Sequence, residues 1–239
     1  VPMQVSAGGM QPMSLCFLLR NVDVTTALLR DHIHHTGLHG QSKHMGIYHA
    51  LQKLAEQGED VPQFGGPWFN STMQEDLICV NITRAAANAA DRAQLTQAEC
   101  RMREDAYKLV ALLRKLYPEF AKASIAEIAA QGGVRETYHI RGLYTLSGAD
   151  ILGGAPCADG VAFCSHPVDI HSAQDNTQTA QYFDTPCPVL YRVMVAAGFD
   201  NLIAAGRCVS CVDEAYASMR VQGTCMAIGE AAGVAAAMR

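Results

Sequence analysis

The chain has 239 residues, 49% of them hydrophobic and 17% charged, which is enough to bury a substantial core. Its 18 basic and 23 acidic side chains leave a formal net charge of -5 without a Lys/Arg block, so neither nucleic acid nor an anionic membrane is favoured as a partner. Nine cysteines at irregular spacing read as reduced thiols in a cytoplasmic protein rather than as a disulfide framework.

The opening residues carry no basic stretch followed by an apolar one, as a signal peptide would, and no run reaches the length of a membrane span. Residues 1–13 read as the middle of a loop, with the expectation that a further segment precedes Val1. Residues 14–22 form an apolar run of strand length. From Thr25 to Gln57 helix formers dominate, and Gly37 and Gly40 divide them into two short helices. The stretch from Gln63 to Asn70 has loop chemistry, whereas Leu77 to Thr83 is β-branched and partly alternating, as a strand is. Thr96 and Glu99 form a capping box, after which Met102, Ala106, Leu109, Val110, Leu113 and Leu116 recur on one face until Pro118, predicting an amphipathic helix. A second box, Ser124 and Glu127, predicts a shorter helix ending at Gly132-Gly133. Strand-like sequence runs from Thr137 to Leu146, with a turn at Ser147-Gly148. Residues 154–188 are rich in Pro, Cys and Asp and read as irregular, and a long irregular stretch is often functional. A strand over Asn201 to Gly206, a connection, and a small-residue helix from about Gly223 to Met238 close the chain.

That last helix is built from Ala227, Gly229, Ala231, Ala232, Gly233, Ala235 and Ala236, which lets backbone approach backbone. Its N-terminus, around Gln222, Gly223 and Thr224, presents unpaired N–H groups and a positive dipole end suited to an anion or a polarised carbonyl; the same features also suit a plain close-packed helix. The segment Asn201-Leu-Ile-Ala-Ala-Gly-Arg-Cys-Val-Ser, with the sequence from Asp213 through Gly223 and Thr224 to Ala237, resembles the C-terminal signature of FAD-dependent oxidoreductases related to fumarate reductase flavoproteins. Gly133-Val-Arg-Glu-Thr, Gly142-Leu-Tyr-Thr-Leu, Asp150-Ile-Leu and Pro167-Val-Asp-Ile-His resemble internal motifs of that family in the same order, and Gln11-Pro-Met-Ser-Leu-Cys-Phe fits as well. The resemblance covers nearly the whole chain.

It implies a mixed α/β (α+β) fold, the C-terminal part of a glutathione-reductase-like flavoprotein. Residues 1–190 would be a substrate or cap domain, and 191–239 the strand and helix that return to the FAD domain. The Gly-x-Gly-x-x-Gly fingerprint that grips the ADP end of FAD does not occur in the sequence, so an N-terminal FAD-binding half is expected as a separate chain or a missing segment. For the flavin end, the resemblance implies Gly206, Arg207 and Cys208 near the ribityl and pyrophosphate, and Arg220, Val221, Gln222, Gly223 and Thr224 near the isoalloxazine. The implied reaction is hydride transfer between a small organic substrate and FAD, with an electron partner left open.

Arg135, His139, Arg141, Tyr144, His166, Asp169 and His171 compete for the substrate side. An Arg can hold a carboxylate through two parallel hydrogen bonds, and a His or Tyr can take a proton; Arg135, His139, Tyr144 and His171 are the catalytic candidates. Against these stand an Arg135–Glu136 ion pair that only holds a loop, His139 as a surface strand residue, and Asp169 with His171 as a hydrogen-bonded turn.

Two rival readings remain. Cys208 and Cys211 have the C-x-x-C spacing of thiol redox and metal motifs, with Cys157, Cys164, His166 and Cys187 as further ligands, but the second paired knuckle of a structural zinc site is missing. His32, His34, His35, His39, His44 and His49 are dense, yet Gly37 and Gly40 break any shared helical face and no carboxylate completes a set. No metal is expected. A non-catalytic interaction subunit is the third class.

Overall fold

A computed structural model of the chain describes residues 1–5, 10–26, 28–29, 44–154 and 158–238. The chain is mixed α/β and divides into two compact units. One, the sheet unit, comprises Pro12–Val134 with Ala173–Asn176; the other, the terminal unit, comprises Val1–Gln11, Arg135–Ser172 and Thr177–Arg239. The boundary expected between residues 190 and 191 falls inside the terminal unit.

The sheet unit is built on four antiparallel strands, β2 (Cys16–Arg20), β3 (Phe64–Ser71), β4 (Leu77–Thr83) and β5 (Ser124–Ile128), in the order β3-β4-β2-β5. Period-2 alternation sends Phe17, Leu19, Ile78, Val80 and Ile82 to one face. There they meet Ala106, Leu109, Val110 and Leu113 of helix α2 (Arg92–Leu116) and Ile47, Tyr48 and Leu51 of α1 (Met45–Glu56). Both predicted strands, 14–22 and 77–83, are present.

Three expectations for this unit are overturned. The segment read as a loop from Gln63 is strand β3; Gly65, Gly66 and Pro67 sit where its register against β4 shifts between Phe64 and Trp68, so the ladder continues on either side of the loop-like residues. The segment from Ser124, read as a capped helix, is strand β5, because its backbone pairs with β2 from Phe17↔Ile128 to Arg20↔Ser124 and that ladder outweighs a local capping pattern. Helix α2 starts before Thr96: Asp91 is its N-cap, accepting from the N–H groups of Ala93 and Gln94 at 2.8 and 3.1 Å, while the Thr96 hydroxyl donates back to the Arg92 carbonyl at 2.9 Å. Of the two helices expected over 25–57, α1 is present, and the glycines placed between them lie outside the described residues.

The terminal unit has only short ladders: β1 (Met3–Gln4) with β6 (His139–Ile140), β7 (Gly160–Cys164) with β10 (Cys187–Leu190), and β8 (Val168–His171) with β9 (Gln178–Gln181). The stretch 154–188, read as irregular, therefore holds three strands and the start of a fourth; their pairing, rather than any period in so short a run, makes them strands. The turn expected at Ser147-Gly148 is a helix start, with Ser147 and Asp150 forming the capping box of α3 (Gly148–Gly153). Strand-like sequence from Thr137 to Leu146 narrows to β6 and isolated bridges at Gly142 and Leu146. The strand expected at 201–206 is reduced, among the described residues, to a bridge between Val195 and Ile203, followed by a 3-10 turn over Gly206–Cys208. Helix α4 (Asp213–Met219) fills the expected connection, and the small-residue helix is α5 (Gln222–Ala237). No helix among the described residues is long and apolar enough to cross a membrane.

Candidate active site

The terminal unit gathers its polar side chains around β8 and the start of α5. On β8, Asp169 and His171 point the same way, as two residues separated by one on a strand must. Asp169 Oδ2 accepts from His171 Nε2 at 3.0 Å and from Arg220 Nη2 at 3.0 Å, and Oδ1 accepts from Gln178 Nε2 at 2.6 Å. Arg220 also donates to the Asp169 carbonyl at 3.1 Å. Burial alone would raise the Asp169 carboxyl, but His171, Arg220 and Gln178 together outweigh it and hold the group well below the ordinary carboxylate value. Since an ionised carboxylate only accepts, His171 carries its proton on Nε2. The Nε of Arg220 is buried without a hydrogen-bond partner.

Arg220 ends α4, and the next residue, Val221, is the N-cap of α5 but supplies no side-chain cap. Gln222 and Gly223 are exposed, and a side chain at Gly223 would begin in open space. The first turn of α5 thus presents N–H groups and a positive dipole end without a capping side chain, beside a fixed guanidinium; Thr224, by contrast, is buried. The 3-10 turn Gly206–Cys208 packs on this same helix. Gly206 has φ +78°, a left-handed conformation that glycine adopts without strain, and Arg207 Nη1 donates to the Arg135 carbonyl at 3.3 Å. Of the two stretches assigned to cofactor binding, 206–208 therefore packs on the helix whose first residues, 222–224, belong to the other.

A second buried network lies alongside. His139 is 1% exposed, which overturns its reading as a surface residue: Nε2 lies 3.3 Å from Glu136 Oε1, Nδ1 lies 3.2 Å from the Val209 carbonyl, and its ring meets that of Tyr216 edge-on at 4.7 Å. A two-residue strand gave the sequence too little pattern to reveal this burial. Gln11, which sequence reasoning assigned no role, joins the two networks: its N–H donates to Glu136 Oε2 at 3.4 Å and its Oε1 accepts from His171 N–H at 3.2 Å. The sequence offers Asp169 only as one competitor among several, gives Gln178 no signal, and presents Glu136 only as a partner for Arg135. Arg135 contributes its backbone carbonyl, which also accepts from the Tyr216 hydroxyl. Tyr144 is occupied elsewhere: its hydroxyl donates to both carboxylate oxygens of Asp150, each at 3.0 Å, and this bond pushes its ionisation up, away from proton transfer at neutral pH. His166 is tied to the Pro167 carbonyl at 2.8 Å, and Arg141 is exposed.

The metal and thiol readings gain nothing. Cys208 is exposed and Cys211 is buried, where desolvation pushes its thiol up. His44 caps α1, accepting from Ile47 N–H through Nδ1 and donating to the Leu28 carbonyl through Nε2. Cys157 and His32, His34, His35 and His39 lie outside the described residues. Among the described residues no group of three or more His, Cys, Asp or Glu could hold a metal ion.

The family model of FAD dependent oxidoreductases matches residues 3–239. The chain belongs to that family. No curated protein and no solved structure matches it. FAD is the cofactor of this oxidoreductase family, and the open, uncapped turn at Gly223 is chemically suited to the polar pyrimidine edge of a flavin, whose carbonyl and ring nitrogen accept from N–H groups and gain charge on reduction.

Proposed function

We propose that this chain is the C-terminal portion of a glutathione-reductase-like flavoprotein of the fumarate reductase type, acting with an N-terminal half that grips the ADP end of FAD. Bound FAD supplies a two-electron acceptor at N5 for a hydride exchanged with a small organic substrate. The first-turn N–H groups of α5 at Gln222 and Gly223 would hold the flavin carbonyl edge, where the dipole of α5 would favour negative charge. Asp169 fixes Arg220 and keeps a proton on His171 Nε2, so His171 would be the group that handles a substrate proton. Gln11, Glu136 and His139 back this arrangement from the buried side. Gly206, Arg207 and Cys208 would lie towards the ribityl and pyrophosphate.

The observation that carries this reading is the uncapped, open start of α5, which follows directly on the half-buried Arg220. Support for a missing half comes from the rest of that helix. Only Thr224 and Ile228 of its 16 residues are buried, side chains at Gly229 and Gly233 would begin in open space, and Met226, Val234 and Met238 are 74, 55 and 82% exposed. The tight backbone packing expected for this helix is thus not made within the described chain. A groove of about 640 Å³, lined mainly by apolar side chains such as Val161, Tyr191, Val234 and Met238 and by the carboxylate residue Glu230, runs beside it. Covering such side chains contributes about 1.5–3 kcal/mol each for Val or Met.

The test is the visible absorption of the native protein purified with whatever accompanies it, beside the intact mass of every polypeptide. Flavin bands with a second chain or longer precursor are expected. Gly223→Trp should abolish flavin retention in that assembly; stoichiometric flavin in the variant would overturn the assignment of this turn.

A further inference from the structure

Strand β8 carries Asp169 and His171 but, among the described residues, pairs along one edge only, with β9. In an antiparallel pair, successive residues turn their backbone N–H and C=O groups alternately towards the partner and away from it. Ser172 N–H donates across the hairpin to the Thr177 carbonyl at 3.1 Å, so its neighbour His171, and Asp169 two residues before that, turn their backbone groups away from β9. Those outward groups meet side chains instead of another strand. The His171 N–H donates to Gln11 Oε1 at 3.2 Å, and the Asp169 carbonyl accepts from Arg220 Nη2 at 3.1 Å. Gln11 is 8% exposed and is itself held, its own N–H donating to Glu136 Oε2 at 3.4 Å. The β8–β9 ladder has only four residue pairs, and Thr179, Ala180 and Gln181 of β9 are exposed, so apolar burial on β9 does little to fix its register. A slip of one residue would send Asp169 and His171 to the opposite face.

We propose that Gln11 is a positioning residue of the candidate site: its side-chain carbonyl stands in for a neighbouring strand at His171 and so holds the imidazole against Asp169. The proposal rests on the reading that His171 handles a substrate proton, and it names the residue that fixes where that proton sits. Arg220 closes the same edge at Asp169, through both the backbone carbonyl and the carboxylate. Gln11 closes it at His171, the last residue of β8, where the ladder gives way to the hairpin turn. Without Gln11 Oε1 the His171 N–H is a buried donor lacking this acceptor, and the strand end shifts to find another. That shift opens the 3.0 Å bond between His171 Nε2 and Asp169 Oδ2.

The native protein, with any polypeptide that accompanies it, would be labelled with isotopic histidine and its imidazole signals recorded by NMR, His171 being identified by its loss in His171→Asn. A slowly exchanging Nε2–H signal is expected for His171. Gln11→Leu, which fills similar space without an acceptor, should speed exchange of that proton by about tenfold or more, and Gln11→Glu, which keeps an acceptor oxygen, should restore slow exchange. His139, buried in the same unit and bonded to Glu136, reports that the variants are folded, since the Gln11 backbone N–H that reaches Glu136 is present in both. An unchanged His171 signal in folded Gln11→Leu, or no recovery in Gln11→Glu, would overturn the proposal. Should Gln11→Leu fail to fold, hydrogen exchange at the His171 backbone amide of the native protein decides: slow exchange supports the clamp and fast exchange overturns it. The signals are read with or without flavin, so the expected pattern in a colourless protein supports the clamp while the flavin reading fails.

Discussion

Both units are held by an apolar cluster, and they differ in strand length and in the polar groups buried beside that cluster. In the sheet unit, the buried faces of four paired strands are covered by two helices, and its largest cluster is almost wholly aliphatic and aromatic. The terminal unit has two- to five-residue strands, buries Glu136, His139 and His171, and leaves most of its C-terminal helix uncovered. Apolar burial is non-directional and tolerates substitution by shape, whereas a buried charged network holds only while every member is paired. The network in the terminal unit adds a fixed arrangement of polar atoms to an apolar core, which is the property a candidate site needs.

Substitutions can break or sharpen this contrast. The largest effect is expected from Leu113→Ala, which empties a fully buried position between α2 and the sheet and should cost about 2–5 kcal/mol in denaturant unfolding. Flavin content per folded molecule should be unchanged, and a parallel loss of flavin would dissolve the distinction between the units. Asp169→Asn keeps the shape but removes the charge facing His171 and Arg220, for a cost of about 1–3 kcal/mol. It should also alter the acid limb of stability. Because the folded-state value of Asp169 is depressed, its contribution is complete above the ordinary 3.8 and is lost as pH falls below that value towards the folded one. The native protein should therefore lose stability in this window more steeply than Asp169→Asn, and equal slopes would remove Asp169 from the network's energetics. The smallest effect separates two candidate helix starts: Asp91→Ala should lower thermal stability by about 1 kcal/mol, whereas Thr96→Ala should stay within about 0.5 kcal/mol.

The sheet unit shows where local pattern is trustworthy. Helix α2 was legible because its apolar stripe repeats over about four turns, and β4 because its seven residues are rich in β-branched side chains and partly alternate. Ser124 to Glu127 misled because a capping box is a four-residue signal, and four residues cannot outweigh a ladder to β2. Phe64 to Ser71 misled for the opposite reason, since Gly65, Gly66 and Pro67 carry turn chemistry into a strand whose register shift absorbs them. In the candidate site, the shared direction of Asp169 and His171 follows from strand geometry, and the uncapped glycine start of α5 is written in the local sequence.

The sequence by itself determined the long helix, two of the sheet strands, the family resemblance and the chemistry at the start of the last helix, because each of these is encoded by neighbours along the chain. Tertiary structure alone decided that Arg220 meets Asp169 across 51 residues, that Gln11 reaches His171 across 160, and that His139 is buried against Tyr216. Those contacts depend on how distant segments pack, and no local periodicity records which of many polar residues will share one interior.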